Sequence, residues 1–259
     1  MFEIAYTMHR GRLSRYQEDS LLIQDQIYQK GSLPITAQRC AGDEVLLAVA
    51  DGVHSSPSPH RASRLVLETL VKAIQEHPEW LQDGLVANWH LRQVQEQLAE
   101  QLADHPQTVG SATTIVVAHL RGAQAAVLNV GDSRAYQVSA AGQWRRLTKD
   151  HTVLQGLIDR GLASPEIDYS RMYLALEHVL CADFGSADFA IHRVIVTLEP
   201  GDWLVLCSDG VHNEIGEAAL WGLFDPALDV AAQARAWRDA VWNHGAHDNL
   251  SLVVAMTAG

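Results

Sequence analysis

Two segments of the chain end the same way. Residues 46–54 read Leu-Leu-Ala-Val-Ala-Asp-Gly-Val-His, and residues 204–212 read Leu-Val-Leu-Cys-Ser-Asp-Gly-Val-His. Each is a short apolar run, long enough for a buried strand, that stops at an Asp-Gly pair. An ionised aspartate at the end of a buried strand is costly unless it is paired, hydrogen-bonded or bound to a cation. The glycine after it lets the backbone turn sharply and approach a ligand. Asp-Gly after an apolar run is also a common hairpin turn, but a hairpin leads straight into a second strand. Asp51 is followed instead by the loop Val-His-Ser-Ser-Pro-Ser-Pro-His, and no clear strand follows Asp209. Asp51 and Asp209 therefore read as two halves of one acidic site.

Three more aspartates sit at strand-like boundaries. Asp19 precedes Ser20-Leu21-Leu22-Ile23. Asp132 ends the apolar stretch 125–131 and leads into Ser133-Arg134-Ala135-Tyr136. Asp248 leads into Leu250-Ser251-Leu252-Val253-Val254. Singly, each is a turn or a solvated strand end. Together, with few basic neighbours, they suit a hard divalent cation with oxygen ligands, Mn²⁺ or Mg²⁺.

No linker, low-complexity run or charge block divides the 259 residues, and 47% of them are hydrophobic. One domain spanning 1–259 is expected. The net charge of −12 argues against a nucleic-acid surface and an anionic membrane. The start of the chain lacks a basic region followed by an apolar stretch, and no run approaches the roughly 20 apolar residues of a membrane helix. Cys40, Cys181 and Cys207 have no paired spacing, which fits a reducing cytosol; a cytoplasmic location is expected. The 13 histidines do not fall at metal-ligand spacing, and the 7 tryptophans are read mostly as core residues.

The periodicities predict strands at 2–8, 20–24 and 45–50, then helices from about 61 and over 85–103, the second ended by Pro106. Strands follow at 112–119, 124–130, 133–138 and 143–147, with a short helix near 152–160. Strands return at 189–197 and 203–208. Helices at 216–224 and 228–243 precede a last strand at 250–256. Strict strand–helix alternation is absent, so a doubly wound sheet is disfavoured. The predicted class is α+β: a four-layer αββα sandwich, two antiparallel β-sheets flanked by helix pairs.

Eight phrases now line up in order: Gln17-Glu18-Asp19-Ser20, Val49-Ala50-Asp51-Gly52, Gly110-Ser111-Ala112-Thr113-Thr114, Val130-Gly131-Asp132-Ser133-Arg134-Ala135-Tyr136, Leu147-Thr148-Lys149-Asp150-His151-Thr152, Glu199-Pro200-Gly201-Asp202, Cys207-Ser208-Asp209-Gly210 and His247-Asp248-Asn249-Leu250-Ser251. From about Arg12 to Val254 the chain resembles the metal-dependent serine/threonine protein phosphatases known as protein phosphatase 2C, in a bacterial stand-alone form. The resemblance implies two core Mn²⁺ or Mg²⁺ ions at one end of the sandwich, with Asp19, Asp51, Asp209 and Asp248 as the catalytic set. Asp51 would bridge both ions, the Gly52 carbonyl would bind one, and Asp209 and Asp248 would complete the protein ligands. Glu18 and Asp19 would hold metal-bound waters or a metal edge. Asp132 with Asp209 would take a third, weaker ion, and residues 149–186 would be a mobile flap. The implied reaction is direct attack of a metal-bridging hydroxide on phosphoserine or phosphothreonine, with no covalent phosphoenzyme. The implied partners are phosphorylated proteins and a cognate serine/threonine kinase, with no nucleic acid, no membrane and a monomeric state.

Three departures from the family pattern stand out. Its phosphate-clamping arginine is replaced by Ser14; Arg15 or Arg12 is the candidate substitute. Val53 stands where some members carry a general-acid histidine, with His54 one residue later; bacterial-type members manage without that histidine. Asn213 replaces an acidic residue found near the third ion in some members. These changes leave two other readings open, a phosphoprotein-binding pseudo-phosphatase and a hydrolase of small phosphoesters.

Overall fold

Alternation along the first strand, β1 (Phe2–His9), sets the layering. Phe2, Ile4, Tyr6 and Met8 point one way, into a core shared by two sheets, while Ala5 points the other way, towards helices. Period-two side chains on a strand buried on both faces produce this division. The computed structural model describes residues 1–79, 81, 83–167, 169–185 and 188–257.

One sheet runs β10 (Trp144–Arg146), β9 (Arg134–Val138), β13 (Trp203–Cys207), β14 (Leu250–Thr257), β1 and β4 (Ser32–Cys40). The other runs β12 (His192–Thr197), β8 (Gln124–Val130), β7 (Ile115–Arg121), β5 (Glu44–Ala50), β2 (Ser20–Ile23) and β3 (Gln26–Tyr28). Every neighbouring pair in the two sheets is antiparallel. A short ladder joins β6 (Ala112–Thr113) to β11 (Leu180–Cys181). On the outer face of the second sheet lie α1 (Pro59–Glu76) and α2 (Gly84–Leu102). On the outer face of the first lie α4 (Asp209–Ile215), α5 (Glu217–Gly222) and α6 (Val230–His244). Three apolar clusters separate four layers, as the predicted αββα class requires.

Several details depart from the sequence reading. The strands β3 and β4 were not anticipated. β4 carries Pro34 and is largely exposed, and an edge strand tolerates both because one side of it needs no ladder partner. The third helix on one flank, α4, begins at Asp209, seven residues before the helix expected at 216, with Gly216 at φ +77° dividing α4 from α5. The tryptophans are less uniformly core than expected. Trp203 and Trp237 are buried, but Trp89, Trp221 and Trp242 are exposed; Trp80 lies outside the described residues.

Register gathers the acidic strand ends. Ser20 pairs with Ala50, so Asp19 and Asp51 flank neighbouring strands at one end. Ile115 pairs with Val130, which brings Thr114 beside the turn that holds Asp132. Cys207 pairs with both Leu252 and Arg134, which sets Asp209, Asp248 and Asp132 around that same end.

Candidate metal centre

Asp51, Asp132, Asp209 and Asp248 line one cavity of about 220 Å³ with Glu18, Gly52 and His54. Asp132 is buried, Asp51 and Asp209 are half-buried, and Asp248 is exposed at the mouth. Asp19 is not part of the lining. It is fully buried behind it, where its Oδ2 accepts a hydrogen bond from Ser208 Oγ at 3.0 Å.

The backbone around each acid is fixed by polar side chains. The carbonyl of Asp51 accepts from Thr113 Oγ1 and from Thr114 N, both at 2.8 Å, and the Asp51 N–H donates to Thr114 Oγ1 at 3.2 Å. Thr114 also bonds Ser133 Oγ at 2.7 Å, which ties the Asp51 loop to the Asp132 turn. The β-branched pair therefore does more than favour a strand. Gly52 is required by close approach: a Cβ there would stand 2.7 Å from the Glu18 carbonyl oxygen and 2.8 Å from Pro59. Asp209 opens α4, where a carboxylate favours the positive end of the helix dipole. Asn249 is a contributor that the sequence reading did not single out. Its Oδ1 accepts from Glu18 N at 2.5 Å, and its Nδ2 donates to the carbonyls of Arg10 at 2.8 Å and Tyr16 at 3.2 Å. One amide thus fastens the loop carrying Glu18 and Asp19 to the segment carrying Asp248.

The electrostatics are those of crowded like charges, offset only in part by the Arg134 charge near Asp132. Burial pushes the Asp19 carboxyl up to about 7, with Asp248 and Asp209 adding repulsion. Withdrawal from bulk water, then the charges of Asp19, Asp209 and Asp132, hold Asp51 well above the usual carboxylate range. Asp132 is raised well above that range by burial and by Asp209, and Asp209 is raised by burial and by Asp248. Asp19 Oδ1 is buried without a hydrogen-bond partner. A divalent cation would relieve both the repulsion and the orphaned oxygen, and an all-oxygen donor set suits a hard ion. Among the described residues no three ligating side chains converge on a single ion position.

One sequence expectation, an arginine at the phosphate, meets a different geometry. Neither Arg12 nor Arg15 lines the cavity or the larger cleft beside it. The Arg12 guanidinium lies 4.5 Å from the centroid of the Trp242 ring, and its Nη2 donates to the Trp242 carbonyl at 3.3 Å. The Arg15 guanidinium lies 5.2 Å from the Tyr16 ring centroid. The structure therefore does not bring either arginine to the acidic group, and Ser14 lines the cleft instead. Among the described residues no lysine or arginine lines either cavity. His54 does reach the site: its Nδ1 lies 2.8 Å from Glu18 Oε2, and this contact raises its pKa. Asn213 Nδ2 lies 3.4 Å from Asp209 Oδ2.

The expected flap contains α3 (Val153–Asp159), a 3-10 turn (Arg171–Leu174) and β11; its residues Asp168 and Ser186 lie outside the described set. Its two ends are zipped together: Val153 N donates to Ala175 O at 3.0 Å and Glu177 N to His151 O at 2.8 Å. His151 Nδ1 in turn accepts from Gly131 N at 3.1 Å, one residue before Asp132. Leu174, Ala175 and Leu176 form one wall of the acidic cavity.

Comparison with known proteins follows the same lines. The sequence profile of the family described as Protein phosphatase 2C matches residues 17–242. The chain is similar to the serine/threonine phosphatase stp of Listeria welshimeri, 24% identical over 249 residues, covering 95% of this chain and 92% of that protein. It is 30% identical over 218 residues to the serine/threonine protein phosphatase PstP of Mycobacterium tuberculosis, covering 81% of this chain but only 40% of the longer relative. A crystal structure of the Mycobacterium tuberculosis phosphatase PstP superposes with a TM-score of 0.80 at 23% identity, covering 100% of both chains. The catalytic domain of PstP with two manganese ions superposes with a TM-score of 0.73 at 23% identity, again covering 100% of both chains.

Proposed function

The chain belongs to the protein phosphatase 2C family, and on that premise we propose that its acidic cavity holds two Mn²⁺ or Mg²⁺ ions and hydrolyses phosphoserine and phosphothreonine in proteins. The observation that carries this reading is the cluster of Asp51, Asp132 and Asp209 lining one pocket, each held above its ordinary pKa by burial and by neighbouring carboxylates. Asp51, the Gly52 carbonyl, Asp209 and Asp248 would hold the ions. Glu18, in the cavity wall, and Asp19, buried behind it, would hold coordinated water. Asp132 and Asp209 form a third, weaker position, weakened further because Asn213 already donates towards Asp209.

When bound, the ions lower the pKa of water for direct attack on phosphorus and neutralise charge on the phosphoryl oxygens. The chain's own residues do the rest. Thr113 and Thr114 fix the Asp51 backbone, Asn249 fixes the Glu18–Asp19 loop, and Leu174 to Leu176 wall the cavity from bulk water. His54, held by Glu18 at the rim of both cavities, is placed to return a proton to the departing alkoxide. In that role His54→Gln removes the basic limb of the pH–rate profile; an unchanged profile dismisses it. None of the three cysteines, all free, lines either cavity.

A cognate serine/threonine kinase supplies the phosphorylated protein in this reading, and the chain acts as a cytoplasmic monomer. Among the described residues no helix is long and apolar enough to cross a membrane. The decisive assay is turnover of a phosphothreonine peptide with Mn²⁺, with EDTA and by Asp209→Ala, alongside calorimetric Mn²⁺ titration. Turnover lost in the last two, together with weakened Mn²⁺ binding by the variant, supports the reading. Turnover that survives EDTA and the substitution places the chemistry elsewhere.

A further inference from the structure

A second, larger hollow of about 780 Å³ opens directly onto the acidic cavity. The two share His54, Leu174, Ala175, Asp209 and Asp248 in their walls. A cleft of this size takes a ligand of roughly drug-like bulk, which means a short stretch of chain rather than a folded domain. Any peptide that delivers a phosphorylated side chain to the acidic floor must lay its neighbouring residues in this cleft.

The cleft has a mixed lining, with Leu13, Tyr169, Met172, Leu174 and Ala175 apolar or aromatic and Asp209, Glu214 and Asp248 acidic, and its apolar part comes from separate parts of the fold. Leu13, on the loop between β1 and β2, is 74% exposed; Met172, in the 3-10 turn of the flap, is also 74% exposed. Single exposed apolar side chains are ordinary on protein surfaces. Two of them from distant segments, lining one cleft above an acidic floor, are not accounted for by packing within the chain. Tyr169 lines the same cleft. Its hydroxyl accepts a hydrogen bond from Ser164 N at 3.0 Å, and its ring meets Tyr173 edge-on at 5.8 Å between centroids. A rigid aromatic with a flexible thioether beside it makes a surface that adapts to bulky apolar partners.

We infer that Leu13 and Met172 are specificity residues, selecting phosphoproteins whose phosphorylated serine or threonine is flanked by a large aliphatic or aromatic side chain. The inference rests on the phosphatase reading above and adds to it the chemistry of the flanking sequence. An extended peptide advances about 3.3 Å per residue with alternate side chains on opposite faces. A flanking side chain a few residues from the phosphate therefore turns back into the cleft while the phosphoryl group sits on the acidic floor. Burial of that side chain against Leu13 and Met172 is gained by peptides and not by small phosphoesters.

The test uses the whole chain loaded with Mn²⁺ and two phosphothreonine peptides. They are identical except that leucines two residues before and two residues after the phosphothreonine in one are serines in the other, and p-nitrophenyl phosphate serves as a third substrate. The expected result is a preference of about tenfold in kcat/KM for the leucine peptide, carried mainly by KM. In the double variant Leu13→Ser/Met172→Ser that preference falls to about twofold or less. Because the readout is a ratio between two peptides, a general loss of activity or stability does not imitate it. Equal kcat/KM for the two peptides in the wild type, or a preference that persists in the double variant, overturns the inference and leaves the phosphatase reading standing. Metal-dependent turnover of none of the three substrates removes that reading, and the inference with it.

Discussion

At one end of the sandwich, charge withdrawn from water is arranged in two opposite ways. In the first arrangement, Asp19, Asp51, Asp132 and Asp209 crowd together, the Arg134 charge offsets Asp132 only in part, and burial and mutual repulsion raise all four carboxyls. In the second, a few residues along the chain, every charge is matched. Arg134 Nε and Nη2 donate to the two oxygens of Asp150 at 3.0 and 2.5 Å, and Nη1 donates to Glu217 at 3.2 Å. Tyr136 OH adds a bond to the same Glu217 oxygen at 2.9 Å, and Arg146 stands 3.8 Å from Asp150 and 3.7 Å from Glu217. Burial pushes the Asp150 carboxyl up, but the hydrogen bonds and charge of Arg134 more than reverse it, so Asp150 is held below its usual range. Both groups are buried aspartates in family motifs. What separates them is the counter-charge. The matched group closes on itself and ties β9, β10 and α5 together. In the unmatched group burial and repulsion favour the protonated carboxyls, so a cation that binds there must displace protons.

The comparison can be broken at either end. The largest effect is expected at the unmatched group: Asp209→Ala should lower kcat/KM for a phosphothreonine peptide by about 10³-fold or more, with folding intact. A loss of less than about tenfold would mean that Asp209 is as structural as Asp150.

At the matched group the effect should fall on stability instead. Arg134→Met leaves Asp150 and Glu217 buried without their partner and should destabilise the protein by about 3–5 kcal/mol in denaturant unfolding. Arg134→Lys should recover part of this, because a lysine keeps the charge but not the two-pronged geometry. If Arg134→Met unfolds at the wild-type denaturant concentration, the matched group is not the stabilising device described here.

The two groups also respond oppositely to pH. A carboxyl raised in the folded state binds more protons than in the unfolded chain between its two pKa values. Its contribution is therefore present at low pH and lost as pH rises, for Asp19 between about 4 and about 7. A carboxyl lowered in the folded state, such as Asp150, contributes above its unfolded pKa and loses that contribution as pH falls through its folded value. Mn²⁺ binding must displace the protons held by the first group. The rise in Tm produced by Mn²⁺ should therefore be several degrees larger at pH 7.5 than at pH 5.5. An equal rise at both values would show that the acidic group is already ionised without metal.

The smallest expected effect concerns Arg12. Docked on Trp242, it should contribute about 0.5–1 kcal/mol of stability through its contact with the indole face. Arg12→Ala should leave the KM for p-nitrophenyl phosphate within about twofold. A tenfold rise in KM would return Arg12 to the phosphate.

Much of this molecule was legible before any coordinates. Strand β5 could be read from its apolar run, α1 from its 3.6-residue periodicity, and the acid cluster from aspartates placed at strand ends. The strand β4 was not legible, because an exposed edge carrying Pro34 has neither alternation nor a continuous apolar run. The start of α4 was hidden because Ser208-Asp209-Gly210 can cap a helix or turn a strand, and only the packing of Val211 and Ile215 in the outer core chooses the helix. Thr114 could be read as a strand residue but not as the link between the Asp51 and Asp132 loops, since its partners are 63 and 19 residues away.

The sequence by itself determined the layer architecture, the hard-cation chemistry and the five aspartates that point to it. These follow from side-chain periodicity and residue type, which are local properties. The tertiary structure alone decided which side chains reach the cavity. Ser14 lines the cleft while Arg12, two residues earlier, turns to Trp242, and Asn249 fastens a loop 231 residues away from it. The direction of a long side chain on a loop depends on which surface lies opposite once the sheets have packed, and the local sequence does not contain that surface.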